Sequence, residues 1–193
     1  GSFSYCRLVQ DAGTGYQFLI LETAGMDLFS VERPAAGTWS APILADDRVA
    51  TGFHSFMGAA VSDGECFVVY MDGAGLSRQG LWLRKAATAT AWPARQPIGM
   101  PDGPHLCFML QPGPGDDLIG AYFDNPSGGG ALAYYLRWNA TAQTWSHARI
   151  GNLPQYNFFG QVCLDPLTSE VTLVWENVCQ QGVANRRRLA KRF

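Results

Sequence analysis

The sequence predicts an all-β fold, a four-bladed β-propeller built from four-stranded repeats of about 53 residues. Three observations predict it. Trp39, Trp92 and Trp145 recur at a constant interval of 53 residues, each after a short stretch of small or polar residues. Four apolar runs that end in an acid fall into register with those tryptophans: Gln17–Glu22, Cys66–Asp72, Leu118–Asp124 and Val171–Glu176. The chain carries 22 Gly and 11 Pro, and no window holds an apolar period of 3.6 residues long enough for a helix.

Taken in order, each unit opens with a first strand, around Phe3, Phe56, Phe108 and Phe159. The second strand is the run ending in the acid, and its nearly continuous apolar character implies a sheet covered on both faces, as radially packed blades require. A third strand follows at Leu28–Val31, Leu81–Leu83 and Tyr134–Leu136, and the Trp-strand closes the unit. Gly, Asp, Pro and Ser clusters such as Ser62-Asp63-Gly64 separate the runs, which is turn chemistry. The units span approximately 1–45, 46–98, 99–151 and 152–193 of a single domain. The fourth ends at a stretch that aligns to a third strand, so either the ring closes with a three-stranded blade or the chain is part of a larger propeller or oligomer. A β-sandwich also contains many short strands but does not require equivalent units at constant spacing.

Composition limits the functional classes. A chain that is 47% hydrophobic and 16% charged packs a core. A net charge of −2 supplies no general attraction to nucleic acid or to anionic membrane, and no run approaches the roughly 18 apolar residues of a membrane span. Gly1-Ser2 reads as a cleavage scar, with the natural N-terminus expected upstream and a secreted, extracellular location expected for the protein. The five cysteines (Cys6, Cys66, Cys107, Cys163 and Cys179) lack zinc-ligand spacing. They are expected as buried free thiols, with a Cys6–Cys163 bridge as the alternative. The basic tail, Arg186, Arg187, Arg188, Lys191 and Arg192, reads as an edge strand kept soluble by charge.

The turns Pro34-Ala-Ala-Gly-Thr-Trp-Ser40 and Asn139-Ala-Thr-Ala-Gln-Thr-Trp-Ser146 resemble a degenerate Asp-box hairpin of sialidase-like propellers, without the central Asp of that motif. Small-residue turns before a Trp also resemble those of lectin propellers. The resemblance implies a propeller fold. The sialidase catalytic set of three arginines, a Tyr-Glu pair and an acid Asp has no residue-by-residue counterpart here.

In an antiparallel meander, the start of strand one, the end of strand two and the start of strand three share an edge. That edge collects His54, His105 and Tyr156 from first strands, Asp72, Asp124 and Glu176 from second strands, with Glu22 equivalent to them, and Trp82 and Tyr134 from third strands. Carboxylates, imidazoles and flat aromatic rings together suit a polyhydroxylated ligand. The competing reading of the acids is that they cap turns, and Trp39, Trp92 and Trp145 are expected in the core. The adjacent carboxylates Asp46-Asp47 and Asp116-Asp117 are ordinary turn residues, since neighbours on a strand point to opposite faces.

The expected function is a non-catalytic, carbohydrate-recognising module with no catalytic residue, cofactor or metal. A protein-interaction or receptor-binding propeller of a larger secreted protein or toxin is the alternative, and a glycoside hydrolase is third. The expected partner is a glycan or a protein ligand, in a chain free to form oligomers; neither nucleic acid nor membrane insertion is expected.

Overall fold

The computed structural model describes residues 3–25, 27–47, 57–72, 79–100, 105–124, 130–154, 159–165, 171–176 and 188–192. Four antiparallel sheets follow one another along them, each a simple meander. Sheet 1 holds β1 (Phe3–Gln10), β2 (Gln17–Thr23), β3 (Leu28–Arg33) and β4 (Ile43–Asp46). Sheet 2 holds β5 (Gly58–Ser62), β6 (Glu65–Asp72), β7 (Gln79–Ala86) and β8 (Gln96–Pro97). In sheet 3 are β9 (His105–Pro112), β10 (Leu118–Asp124), β11 (Gly130–Asn139) and β12 (Thr144–Pro154). Sheet 4 has three strands, β13 (Phe159–Leu164), β14 (Val171–Glu176) and β15 (Arg188–Arg192). The described residues contain no helix, and hence none long and apolar enough to cross a membrane.

Turn chemistry explains the tight meanders. Asp63 and Gly64 take φ of 48° and 70°, the left-handed pair that a two-residue hairpin needs to match strand twist. The sheets are stacked around their first strands: β1 packs beside β5, β5 beside β9 and β9 beside β13. No comparable packing joins β13 back to β1 among the described residues. Gly58 allows the close approach of β5 and β9, because a Cβ there would meet the backbone of Met109 and Leu110 at 3.1 Å.

Two apolar layers hold the sheets together. Between sheets 1 and 2 lie Phe18, Ile20 and Leu28 against Met57, Val68, Tyr70 and Leu83. Between sheets 2 and 3, Phe67, Trp82 and Trp138 form an aromatic cluster, with Trp82 and Trp138 centroids 5.0 Å apart. Each fully buried side chain of this size contributes about 1.5–3 kcal/mol. The six central residues of β6 are buried on both faces, as its continuous apolar run requires. In β2 and β3 burial alternates instead, because among the described residues only one face of sheet 1 meets another sheet.

A buried ion pair crosses the first of these layers. The Lys85 ammonium of β7 donates to Glu32 Oε2 of β3 at 2.8 Å, and both side chains are almost fully buried. Tyr16 donates to the same oxygen at 3.2 Å, Ser30 Oγ donates to Oε1 at 2.8 Å, and Trp92 Nε1 donates in turn to Ser30 Oγ at 2.9 Å. Both carboxylate oxygens are therefore occupied, the condition under which a charge tolerates burial.

Trp92 is half-buried and spans from sheet 2 to sheet 1, while Trp145 of sheet 3 packs edge-on against Trp82 of sheet 2 at 6.0 Å. Trp39 departs from the core position expected of it. It is 40% exposed, with the Arg33 guanidinium 4.9 Å from its ring, because among the described residues no sheet lies beyond it for its indole to reach. The cysteines also depart in part: Cys6, Cys66 and Cys163 are free thiols, so the Cys6–Cys163 bridge is not formed, and Cys6 is exposed. Burial, reinforced by Glu32 and opposed by Lys85, pushes the Cys66 thiol far up, which keeps it protonated and unreactive.

At the other end of the sheets, Asp117 orders a turn, as expected for that pair of acids. Its Oδ1 accepts from the Ala140 N–H at 2.8 Å, and its Oδ2 accepts from Arg137 Nε at 2.9 Å. Burial alone would raise the Asp117 carboxyl; the Ala140 and Arg137 bonds outweigh it and hold the pKa below the usual carboxylate range.

Lys85→Met is expected to destabilise the fold by about 3–5 kcal/mol, since Glu32 is then left buried without its counter-charge. Urea denaturation checks this, and Glu32→Leu combined with Lys85→Met is expected to cost less than the two single changes added together. Because the folded pKa of Asp117 is depressed, its contribution is complete above the unfolded value near pH 4 and is lost as the pH falls through the folded value. Asp117→Asn is therefore expected to flatten the decline of unfolding free energy below about pH 4.

Candidate functional site

Cross-strand register sets Asp72, His105, Asp124 and Glu176 at the same end of their sheets. Asp124, the last residue of β10, is the register partner of His105, the first of β9, and of Leu132 in β11. Glu176 at the end of β14 pairs with Phe159 and with Arg188. Asp72 at the end of β6 pairs with Gln79 at the start of β7. His54 and Tyr156 lie outside the described residues.

The best-defined part of this edge is the junction of sheets 1 and 2. Arg95, in the segment leading into β8, sets Nη1 3.1 Å from Asp46 Oδ2 and 3.2 Å from Asp72 Oδ2. The Tyr70 hydroxyl donates to the same Asp46 oxygen at 2.7 Å. Burial works against the Arg95 charge, and the hydrogen bond it donates to Asp46, with the charges of Asp46 and Asp72, outweighs it. Two carboxylates thus share one partly exposed guanidinium, a group that offers both acceptors and a donor to a ligand hydroxyl. Asp72 is held by a side-chain ion pair here. Glu22, equivalent to it in sheet 1, is fully buried at the same junction.

Tyr134, expected at the start of its strand, is the fifth residue of β11, half-buried and stacked on Tyr122, centroids 4.7 Å apart and planes 2° from parallel. The Tyr122 hydroxyl lies 3.1 Å from Nδ1 of His147, an exposed residue of β12. Trp82 sits elsewhere than at a strand start: it is the fourth residue of β7, 7% exposed, and packs between Phe67 and Trp138. Three residues separate it from the rim, which is enough to bring it into the core.

Two features escaped sequence reasoning. The first is His147, which shares a strand face with Trp145 and Arg149 by the two-residue alternation. The second is an axial cleft of about 470 Å³ between the first strands, lined by Arg7, Leu8 and Gln10 of β1, Ala60 of β5, and Leu110 and Gln111 of β9. The β1 and β9 positions fall in the later halves of their strands, so that part of the cleft lies away from the Asp72 and Asp124 edge. Among the described residues, no group of His, Cys, Asp and Glu is arranged to hold a metal ion.

No protein-family model matches the chain, and no curated protein matches it in sequence. Its backbone is similar to solved sialidase structures. Over 100% of this chain and 44% of the other, it superimposes on the Hadza microbial sialidase Hz136 with a TM-score of 0.70 at 14% identity. The intramolecular trans-sialidase from Ruminococcus gnavus gives 0.65 at 11% identity, covering 95% of this chain and 41% of the other. The K499G mutant of NanB sialidase from Streptococcus pneumoniae gives 0.61 at 13% identity, covering 90% and 28%. The chain thus spans less than half the length of these proteins, and at such identities the likeness concerns the fold alone. It is an all-β, sialidase-like β-propeller fold, in agreement with the resemblance carried by the Trp turns.

Proposed function

We propose that this protein is a carbohydrate-recognising module of a secreted protein, which binds glycans through the edge carrying Asp72, Asp124 and His105. The observation that carries the proposal is the register pairing of Asp124 with His105, on the same edge as the Arg95-bridged carboxylates Asp46 and Asp72. An imidazole, a guanidinium and several carboxylates on one edge suit vicinal hydroxyls, which both donate and accept. The half-buried Tyr134 adds an aromatic edge for the apolar side of a pyranose ring. His54, Tyr156 and Glu176 belong to the same proposed surface by their equivalent strand positions. Similarity of fold to sialidases supports a carbohydrate ligand by analogy only, because one fold serves many functions.

A glycan array carrying sialylated and neutral sugars, followed by calorimetry on any hit, tests the proposal. Saturable binding is expected, weakened at least about tenfold by His54→Ala with His105→Ala, since one lost hydrogen bond to a ligand is worth about 1.4 kcal/mol or more. Binding to no glycan, or unchanged affinity in the double variant, would overturn it. Turnover of an aryl glycoside that disappears in Asp72→Asn or Asp124→Asn would replace binding by hydrolysis.

A further inference from the structure

The guanidinium at the junction of sheets 1 and 2 is engaged by the protein's own acids. Arg95 Nη1 lies 3.1 Å from Asp46 Oδ2 and 3.2 Å from Asp72 Oδ2, so a single nitrogen faces two carboxylates. Asp46 is largely buried, and the Tyr70 hydroxyl donates to its Oδ2 at 2.7 Å, which fixes that side of the arrangement. Two carboxylates around one guanidinium leave a negative charge in excess. A ligand carboxylate brought to Arg95 meets two like charges already in contact with it.

The surrounding sequence carries the same sign. Residues 24–27, 46–57, 72–78, 95–105 and 124–129 contain six Asp against three Arg, with neither Glu nor Lys. In the meander these stretches hold the strand ends and connections on this edge of sheets 1, 2 and 3. Arg48 and Arg78 are counted among the three and lie outside the described residues. Arg188 and Arg192 of β15 belong to sheet 4, which stacks beyond sheet 3 and away from this junction. The field over the edge of the first three sheets is therefore negative.

We infer that this edge selects neutral sugars and rejects those that carry a carboxylate, with Arg95 as the residue that sets the selectivity. The inference rests on the glycan-binding reading above and narrows its ligand class. A hydroxyl both donates and accepts, so it can donate to Asp72, the more exposed of the two acids, without adding charge. A carboxylate only accepts, and it adds a third negative charge beside Asp46 and Asp72. The two acids act through Arg95: they keep its guanidinium from pairing with an anionic ligand.

Calorimetry on the 193-residue chain tests this with matched glycosides of the sugar class found on the array, each hexoside against the hexuronide that replaces its CH2OH by a carboxylate. In about 0.05 M salt at neutral pH the hexuronide is expected to bind at least about fivefold more weakly, and the gap is expected to narrow in about 1 M salt. Asp46→Asn with Asp72→Asn frees the guanidinium and is expected to close the gap or reverse it, because Arg forms paired bonds with a free carboxylate. Should the two changes disturb the circular dichroism spectrum, Asp72→Asn alone retains the Tyr70–Asp46 bond and is expected to narrow the gap at least about twofold. A hexuronide bound as tightly as its hexoside by the unaltered chain, or a gap unmoved by salt and by both variants, overturns the selectivity and leaves glycan binding standing. Binding of neither sugar overturns the glycan-binding reading itself, and the selectivity falls with it.

Discussion

The Lys85–Glu32 pair is the constraint on which the arrangement of the sheets depends. Apolar strand faces attract one another without much preference for a particular offset, because burial is non-directional. A buried ammonium facing a buried carboxylate accepts only the offset at which both are bonded. Tyr16, Ser30 and Trp92 fill the remaining sites of Glu32, so sliding sheet 2 over sheet 1 would strand several polar groups at once. The indole that recurs every 53 residues thereby acts here through its N–H as well as through its bulk.

The same layering separates what holds the molecule together from what can meet a ligand. Aromatic mass is drawn inward, as with Trp82, Phe67 and Trp138, whereas ionisable groups gather at strand ends where chain reversal leaves them partly in water. At the junction of sheets 1 and 2 the roles overlap. Arg95 ties Asp46 of one sheet to Asp72 of the next, so the geometry of the carboxylates on that edge is inherited from the packing of the sheets beneath them.

Much of this was legible in the sequence, for identifiable reasons. The run Leu118–Asp124 coincides with β10 and Val171–Glu176 with β14, since apolar β-formers bounded by turn residues leave little freedom in placing a strand. The pairing of Asp124 with His105 follows from meander topology alone. Position along a strand was harder to judge: Trp82 looked like the start of its strand, yet β7 begins three residues earlier with Gln79 and Gly80, which have no strand signature. Interactions between distant segments left no local trace. Nothing near Lys85 announces Glu32, and nothing near Asp46 announces Arg95, because both partnerships arise only when two sheets stack. Exposure of Trp39 has the same origin, since its local sequence resembles that of its half-buried counterparts Trp92 and Trp145.

The outer strands differ greatly in length, and this bears on how the molecule meets other polypeptides through its backbone. β8 has two residues, one of them Pro97, which lacks an N–H, so the rim of sheet 2 offers almost no free ladder. β12 runs for eleven residues at the end of sheet 3, bonded to β11 on one side only. A foreign strand seeking main-chain partners would find its longest template there. Arg149 and the imidazole of His147, both exposed along it, supply the charge and polarity that discourage such a recruit.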